Sequence, residues 1–369
     1  MWGGESVLVK EKVNLSNFIS VEKRAKVSKV SFLLIPLISI ALALLFGAIF
    51  LWATGYSPMK IYMLMFTGSF GSFYNFSETM VKAIPLMLTG LAVSLAFKMS
   101  LWNIGAEGQL YMGAFMAGGV GLFFPQLPAP VMLTCMVIAG FIGGALWGLI
   151  PGILKALVGV NETITTLMLN YVAILWVGYL VYGPWKDPNG FMPFTKGFEE
   201  YALLPTLPGT RIHAGITFAI IIAVVLYIIF KRTTWGYQIG VIGESQKVAS
   251  YAGMSIKKNI VLVMLISGGI AGIAGMAEVS GIIGRLQYNI SPGYGYTAII
   301  VAWLSRLNPF VIILVAIFFG GLLNGGYALQ IVGLPAVMVS MLQGAILFFV
   351  LGGEMFTRYR IKLGRGGRN

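Results

Sequence analysis

Apolar and polar positions along the 369-residue chain fall into long blocks instead of alternating finely. The run Phe32 to Thr54 carries no charge and exceeds the roughly 20 residues a helix needs to cross a bilayer core. Further apolar runs lie at 83–98, 102–124, 130–151, 163–183, 213–230, 260–283, 294–306, 309–332 and 335–352. The pattern predicts an all-α integral membrane protein with about ten transmembrane helices. The second and eighth are short, and the eighth, 294–306, is open to a re-entrant reading. Continuous runs without two-residue alternation exclude a membrane β-barrel. The first run follows a polar, basic stretch and lacks a small-residue cleavage site, so it reads as a retained helix.

Charge positions orient these spans. Lys10, Lys12, Lys23, Arg24, Lys26 and Lys29 precede the first span, and Lys231, Arg232, Lys247, Lys257 and Lys258 separate the sixth from the seventh. Arg358, Arg360, Lys362, Arg365 and Arg368 follow the tenth. If all ten runs cross, these sixteen of 25 basic residues share one side, which the positive-inside rule makes cytoplasmic. Lys98, Lys155 and Arg306 fall on that side too. The expected layout is a cytoplasmic segment 1–30, a membrane domain 31–352 and a basic cytoplasmic tail 353–369. An external loop covers 184–212 and a cytoplasmic loop 231–259. The net charge of +13 is thereby topogenic and no nucleic-acid footprint.

Spans two to five and seven to ten form two sets of four that enter from opposite sides, an inverted repeat of the kind found in transporters. One local echo supports it: Trp102-Asn103-Ile104-Gly105 and Tyr288-Asn289-Ile290-Ser291 each join an aromatic residue to Asn-Ile and then break the helix. Gly140, Gly144, Gly148 and Gly152 form a ladder, as do Gly268/Gly272 and Gly321/Gly325, and small residues at that spacing let helix backbones approach closely.

Composition narrows the chemistry. With 58% hydrophobic and 10% charged residues and a mean hydropathy of +0.87, lipid must solvate most of the chain. One cysteine, Cys135, and one histidine, His213, leave no disulfide and no metal set expected. No phosphate-binding Gly-Lys-Ser/Thr loop, HExxH or GxSxG occurs, so the chain is not expected to be an enzyme or to bind a cofactor of its own.

Carboxylates in lipid are costly, and they face a bundle interior, water or a partner. Glu107 and Glu278 are the deepest candidates, whereas Glu162 and Glu354 read as interfacial. Amides and tyrosines suit a neutral polar solute, by hydrogen bonding and stacking. Asn103, Glu107, Gln109, Asn170, Glu278, Tyr288, Asn289, Tyr294 and Asn324 are therefore candidates for a substrate pathway; the alternative for each is a brace between helices. In the loop 231–259, Glu244 to Ala252 suits a short helix ended by Gly253, too short to stand alone in water and so resting on its own domain or a partner.

At this loop the sequence resembles the permeases of ATP-binding-cassette importers, within the family of inner-membrane translocators for simple sugars, nucleosides and branched-chain amino acids. The matching elements are Gly243-Glu244-Ser245-Gln246-Lys247-Val248-Ala249-Ser250-Tyr251-Ala252-Gly253, the run Asn103 to Gln109, and Gly159 to Tyr171, which looks most like the nucleoside-type branch. The resemblance implies a multi-pass permease of the prokaryotic cytoplasmic membrane that moves a nucleoside or similar neutral sugar-containing solute inward. It also implies three partners: a second, non-identical permease, a cytoplasmic ATPase that uses ATP, and an extracytoplasmic solute-binding protein. The coupling helix contacting the ATPase would use Gly243, Glu244, Lys247, Val248, Ala249, Tyr251, Ala252 and Gly253. The competing expectation is a secondary transporter or channel driven by an ion gradient.

Overall fold

The computed structural model describes residues 19–23, 29–331, 333, 335 and 337–363. Lys10, Lys12, Arg24, Lys26, Arg365 and Arg368 lie outside the described residues, as do the side chains of Gln343 and Glu354. In chain order the elements are β1 (Ile19–Lys23), α1 (Lys29–Ala53), α2 (Pro58–Phe70), α3 (Phe73–Lys98), α4 (Ala106–Phe123) and α5 (Ala129–Ile153). Then come α6 (Glu162–Tyr182), α7 (Gly215–Arg232), α8 (Thr234–Glu244), α9 (Gln246–Tyr251) and α10 (Ile256–Glu278). The last are α11 (Tyr294–Leu304), α12 (Pro309–Ile331), α13 (Val337–Arg358) and β2 (Tyr359–Leu363). Two compact units divide the chain, one up to Gly47 and from Gly344 onward, the other Ala48–Gln343.

In the first unit, β1 and β2 pair antiparallel with Ile19 opposite Leu363. Every other named element among the described residues is helical, so the fold class is all-α as expected. Tyr-Arg-Ile-Lys-Leu alternates apolar and polar positions throughout and Ile-Ser-Val-Glu-Lys does so over its first four, the period-two strand pattern.

The second unit holds the six candidate membrane spans. Among the described residues six are long and apolar enough to cross a bilayer: α3, α5 with the π-turn Leu154–Val158 that extends it, α6, α7, α10 with its π-turn Val279–Ile283, and α12. They answer to the second, fourth, fifth, sixth, seventh and ninth expected runs. The helix α4 is less apolar because it carries Glu107, Gln109 and five glycines. At 11 residues, α11 spans only about 16 Å, roughly half the hydrocarbon thickness.

Two boundaries differ from the sequence reading. The second run is not short, because α3 begins at Phe73 and includes a polar start. That start is satisfied by protein: the Ser72 hydroxyl accepts from the Asn75 N–H at 3.1 Å, Thr79 donates to the Ser69 carbonyl at 2.9 Å, and Glu78 pairs with Arg211 at 3.2 Å. The short helix placed at Glu244–Ala252 is Gln246–Tyr251, and a separate helix, α8, precedes it. Glu244 ends α8 instead of opening α9, since Ser245 takes the cap and accepts from the Val248 N–H at 3.4 Å.

The core is built on α3, buried along almost its whole length, and α10, buried along most of it. Helix α10 packs against α4 and α5, while α3 packs against α11 and α12. Glycine makes the first of these contacts possible. A methyl group at Gly272 would overlap the Gly140 carbonyl, one at Gly144 the Gly268 carbonyl, and one at Gly275 the Leu110 carbonyl. Lipid offers no hydrophobic drive between helices, so such backbone approach supplies dispersion contacts instead. By contrast α6 carries an outward apolar stripe of Ile164, Met168, Tyr171, Leu175 and Tyr179.

The loop between α6 and α7 lies over the π-turn of α10. The Leu204 N–H donates to the Ser280 carbonyl at 3.0 Å, and Ser280 donates to the Ala202 carbonyl at 2.5 Å. The buried His213 ring sits against Gly215 and Gly281, and its Nδ1 accepts from the Gly215 N–H at 3.2 Å. The lone histidine is thus a packing residue of this loop.

Candidate functional site

Two places gather the polar residues singled out by sequence. The first is where α4 and α11 begin. Each starts after a break in the chain, and the breaks leave backbone groups needing partners. Gly293, at φ +97, turns the chain into α11 in a conformation that residues with a side chain rarely adopt.

Side chains answer those needs almost completely. Asn103 and Gln109 form a reciprocal amide pair, with both N···O distances 3.1 Å. Asn103 also accepts from the Gly105 N–H and donates to the Ser267 hydroxyl, both at 3.0 Å, and Ser267 donates on to the Ala92 carbonyl at 2.7 Å. Asn170 accepts from the Gly108 N–H at 2.8 Å and donates to the Ile104 carbonyl at 2.9 Å and the Tyr296 hydroxyl at 3.3 Å. Glu107 accepts from the Gly295 N–H at 2.7 Å, joining the first turn of α4 to the first turn of α11. All four side chains are buried.

The remaining candidates are placed differently. Asn324 donates to the Gly68 and Asn75 carbonyls and the Thr79 hydroxyl at 3.0–3.3 Å, tying α12 to α2 and α3. Tyr288 is half-buried against Gly178 and lies edge-on to Tyr182, while Asn289 is exposed. Glu278 and Tyr294 are buried beside each other and interact as a side-chain pair. Glu162, read as interfacial, is buried: it pairs with Lys155 at 2.7 Å and accepts from the Trp102 N–H at 3.4 Å. Sequence reading missed Ser267, which bridges Asn103 to α3. A lone serine in Ile-Ser-Gly-Gly looks like any small residue of a packed helix, and only its amide partner marks it.

The second place is α8–α9. Ala249 is fully buried and holds α9 to its own domain, whereas Val248 is 57% and Tyr251 93% exposed. Lys247, Ser250, Ala252 and Gly253 also face outward, and Gly253, at φ +71, turns the chain out of the helix. Helix α8 is fastened at both ends. Trp235 donates to Asn259 at 2.8 Å and Asn259 donates to Gln238 at 3.3 Å, tying α8 to the start of α10. At the other end Ser100, just past α3, donates to the Gly243 carbonyl at 2.8 Å, and Gly243 packs on the Lys98 carbonyl so closely that a methyl group would overlap it. Rigid contacts thus run from the exposed α9 through α8 to the ends of α3 and α10, the two most buried helices. Three rings, Phe97 at the end of α3, Trp102 before α4 and Trp303 of α11, lie 5.3–5.7 Å apart.

Among the described residues no group of three His, Cys, Asp or Glu side chains is placed to hold a metal ion. The hydrogen-bonded amides and the outward-facing α9 give a tightly braced interior with an exposed handle.

Residues 75–351 match the family model described as the branched-chain amino acid transport system / permease component. The glucose ABC transporter permease protein of Haloferax volcanii is 36% identical, covering 88% of this chain and 89% of its own. The guanosine ABC transporter permease protein of Bacillus subtilis is 36% identical, covering 93% and 100%. The nucleoside ABC transporter permease protein of Lactococcus lactis is 32% identical, covering 86% and 90%. No solved structure matches. The chain is a multi-pass membrane transport permease without a catalytic role of its own, and it belongs to the family of branched-chain amino acid transport system permease components.

Proposed function

We propose that this chain is the permease subunit of an ATP-binding-cassette importer and moves a nucleoside or similar neutral sugar-containing solute inward. The path lies between this chain and a second, non-identical permease. A cytoplasmic ATPase hydrolyses the ATP, and an extracytoplasmic binding protein delivers the solute. The carrying observation is α9: a six-residue helix whose Val248 and Tyr251 project outward while Ala249 anchors it. An apolar residue this exposed on a charged loop suits a partner's groove, and the fastening of α8 to α3 and α10 suits transmission of force. The relatives named for glucose, guanosine and nucleosides support the solute class.

In this reading the ten runs are membrane elements arranged as an inverted repeat, α3–α6 against α10–α13. The packing supports it, because the first helix of each set, α3 or α10, lies against the second and third helices of the other. The breaks before α4 and α11 occupy equivalent places and meet at Glu107 and Gly295. Lys98, Lys155, Arg306 and the α8–α9 handle lie on the cytoplasmic side, as do both termini.

The test uses vesicles holding the assembled permeases, ATPase and binding protein. Uptake of labelled guanosine or glucose should require ATP on the α9 side. Uptake by the permease alone, driven by a sodium or proton gradient, would replace this reading with a secondary transporter.

A further inference from the structure

A half-open cavity of about 740 Å³ lies between the start of α5, the loop that follows α6 and the π-turn that ends α10. Its apolar walls are Leu133, Leu203, Leu204, Ile282 and Ile283, and Glu200 also lines it. Cavities of about 300–1,000 Å³ accept a small organic ligand, so this one has room for the tip of a loop. Leu133 stands seven residues before Gly140 and eleven before Gly144, on the face of α5 whose glycines meet α10. The apolar stripe that α5 turns outward, Val131, Ile138, Ile142 and Leu146, lies on its other side. The cavity therefore sits where the glycine contact between α5 and α10 ends, away from the lipid-facing stripe.

Its polar groups are mostly engaged. Ser280 donates to the Ala202 carbonyl at 2.5 Å, and the Tyr201 hydroxyl donates to the Pro125 carbonyl. Glu200 and Thr206 remain, too few to replace the water around a sugar or nucleoside. Glu200 is exposed beside the exposed Glu199, and neither is in an ion pair; the ion pairs of the described residues are Lys155–Glu162 and Arg211–Glu78.

We propose that this cavity receives the extracytoplasmic binding protein, and that the occupant is a loop tip carrying an apolar side chain beside a lysine or arginine. The inference rests on the importer reading, which places the loop 184–212 outside, and it names the surface that meets the delivery partner. The apolar side chain fills the space between the leucines and isoleucines, as an anchor does at the centre of an interface. The cation meets Glu199 and Glu200, where complementary charge speeds encounter and fixes register. A partner held there touches α10 directly, because one wall is the π-turn of that helix and the Leu204 N–H is bonded to the Ser280 carbonyl at 3.0 Å. The other end of α10 is tied to α8 by the Trp235–Asn259 bond at 2.8 Å, so the docking cavity and the exposed handle share one helix.

The test measures the affinity of the guanosine-loaded binding protein for the complex of both permeases and the ATPase, held in lipid nanodiscs. Two variants are used, Glu200→Lys, which reverses an exposed charge, and Leu203→Trp, which fills the mouth. Kd should rise about tenfold or more in each, and only Glu200→Lys should also weaken or reverse the salt dependence of binding. Wild-type affinity in both variants, each giving the wild-type yield of monodisperse complex, overturns the docking site. Unchanged affinity together with loss of a co-purifying phospholipid, read by mass spectrometry, also overturns it and makes the occupant an acyl chain. A wild-type complex that takes up guanosine equally well without the binding protein overturns the importer reading itself.

Discussion

The Ser100 hydroxyl donates to the Gly243 carbonyl at 2.8 Å, and this single bond joins the end of the most buried helix to the foot of the exposed α8–α9 handle. Ser100 itself sits at φ +56, an unusual conformation for a residue with a side chain, just where α3 stops and the break before α4 begins. Movement of α9 therefore reaches the interior through a short rigid link and not through a loop.

Breaking that link should uncouple the two activities of the assembled transporter. Ser100→Ala is expected to leave ATP hydrolysis within about twofold of wild type while solute uptake falls several-fold, since a lost hydrogen bond costs about 1 kcal/mol but removes a mechanical contact. Parallel measurement of hydrolysis and uptake in the same vesicles checks it. Equal loss of both would place Ser100 in folding instead.

Residues of α9 should separate by the side they face. Tyr251→Asp, at a position 93% exposed, should insert normally but lower substrate-stimulated hydrolysis by about tenfold or more, as loss of an aromatic anchor does at an interface. Ala249→Arg should instead damage the protein itself, because Ala249 is fully buried against its own domain. Yield of monodisperse permease in detergent distinguishes the two: normal for Tyr251→Asp, sharply reduced for Ala249→Arg.

Much of this architecture was legible in the sequence, because apolar blocks report spans directly. The runs at 130–151 and 163–183 match α5 and α6 within a residue or two. Where reading failed, the reason was local. The polar start of α3 looked like loop because its partners, Ser69 and Arg211, come from other elements. Likewise α8 was missed because its Gly-Tyr-Gln-Ile-Gly content argues against a helix until Asn259 and Ser100 hold it. The breaks at Asn103 and Asn289 were visible, but only the structure separates a saturated amide from an exposed one. No sequence pattern marks the buried Glu278–Tyr294 pair, since the meeting of two polar side chains from different helices is a property of packing.

The glycine ladder should prove intolerant. Gly272→Val would drive a branched side chain into the Gly140 carbonyl and the Gly144 backbone, where neither can yield without shifting α5. The expected destabilisation is at least about 3 kcal/mol, the upper range for overpacking. A markedly lower midpoint of thermal unfolding in detergent checks it; Gly240, with open space around it, should accept the same change with little effect.

Asn103 and Asn289, alike in sequence, should behave oppositely. In Asn103→Leu the Gln109 amide loses its partner, the Gly105 N–H its acceptor and Ser267 a donor, all within a buried site. Each buried group left unsatisfied costs about 1–3 kcal/mol, so the variant should be several kcal/mol less stable. Asn289 is exposed, and its backbone carbonyl, not its side chain, accepts from Gln287 at 2.8 Å. Asn289→Leu should therefore keep wild-type stability, and any loss of uptake it causes must come from contact with the solute or with another subunit. Wild-type uptake by Asn289→Leu would remove that residue from the path, while wild-type stability of Asn103→Leu would show that the break before α4 does not depend on its amide brace.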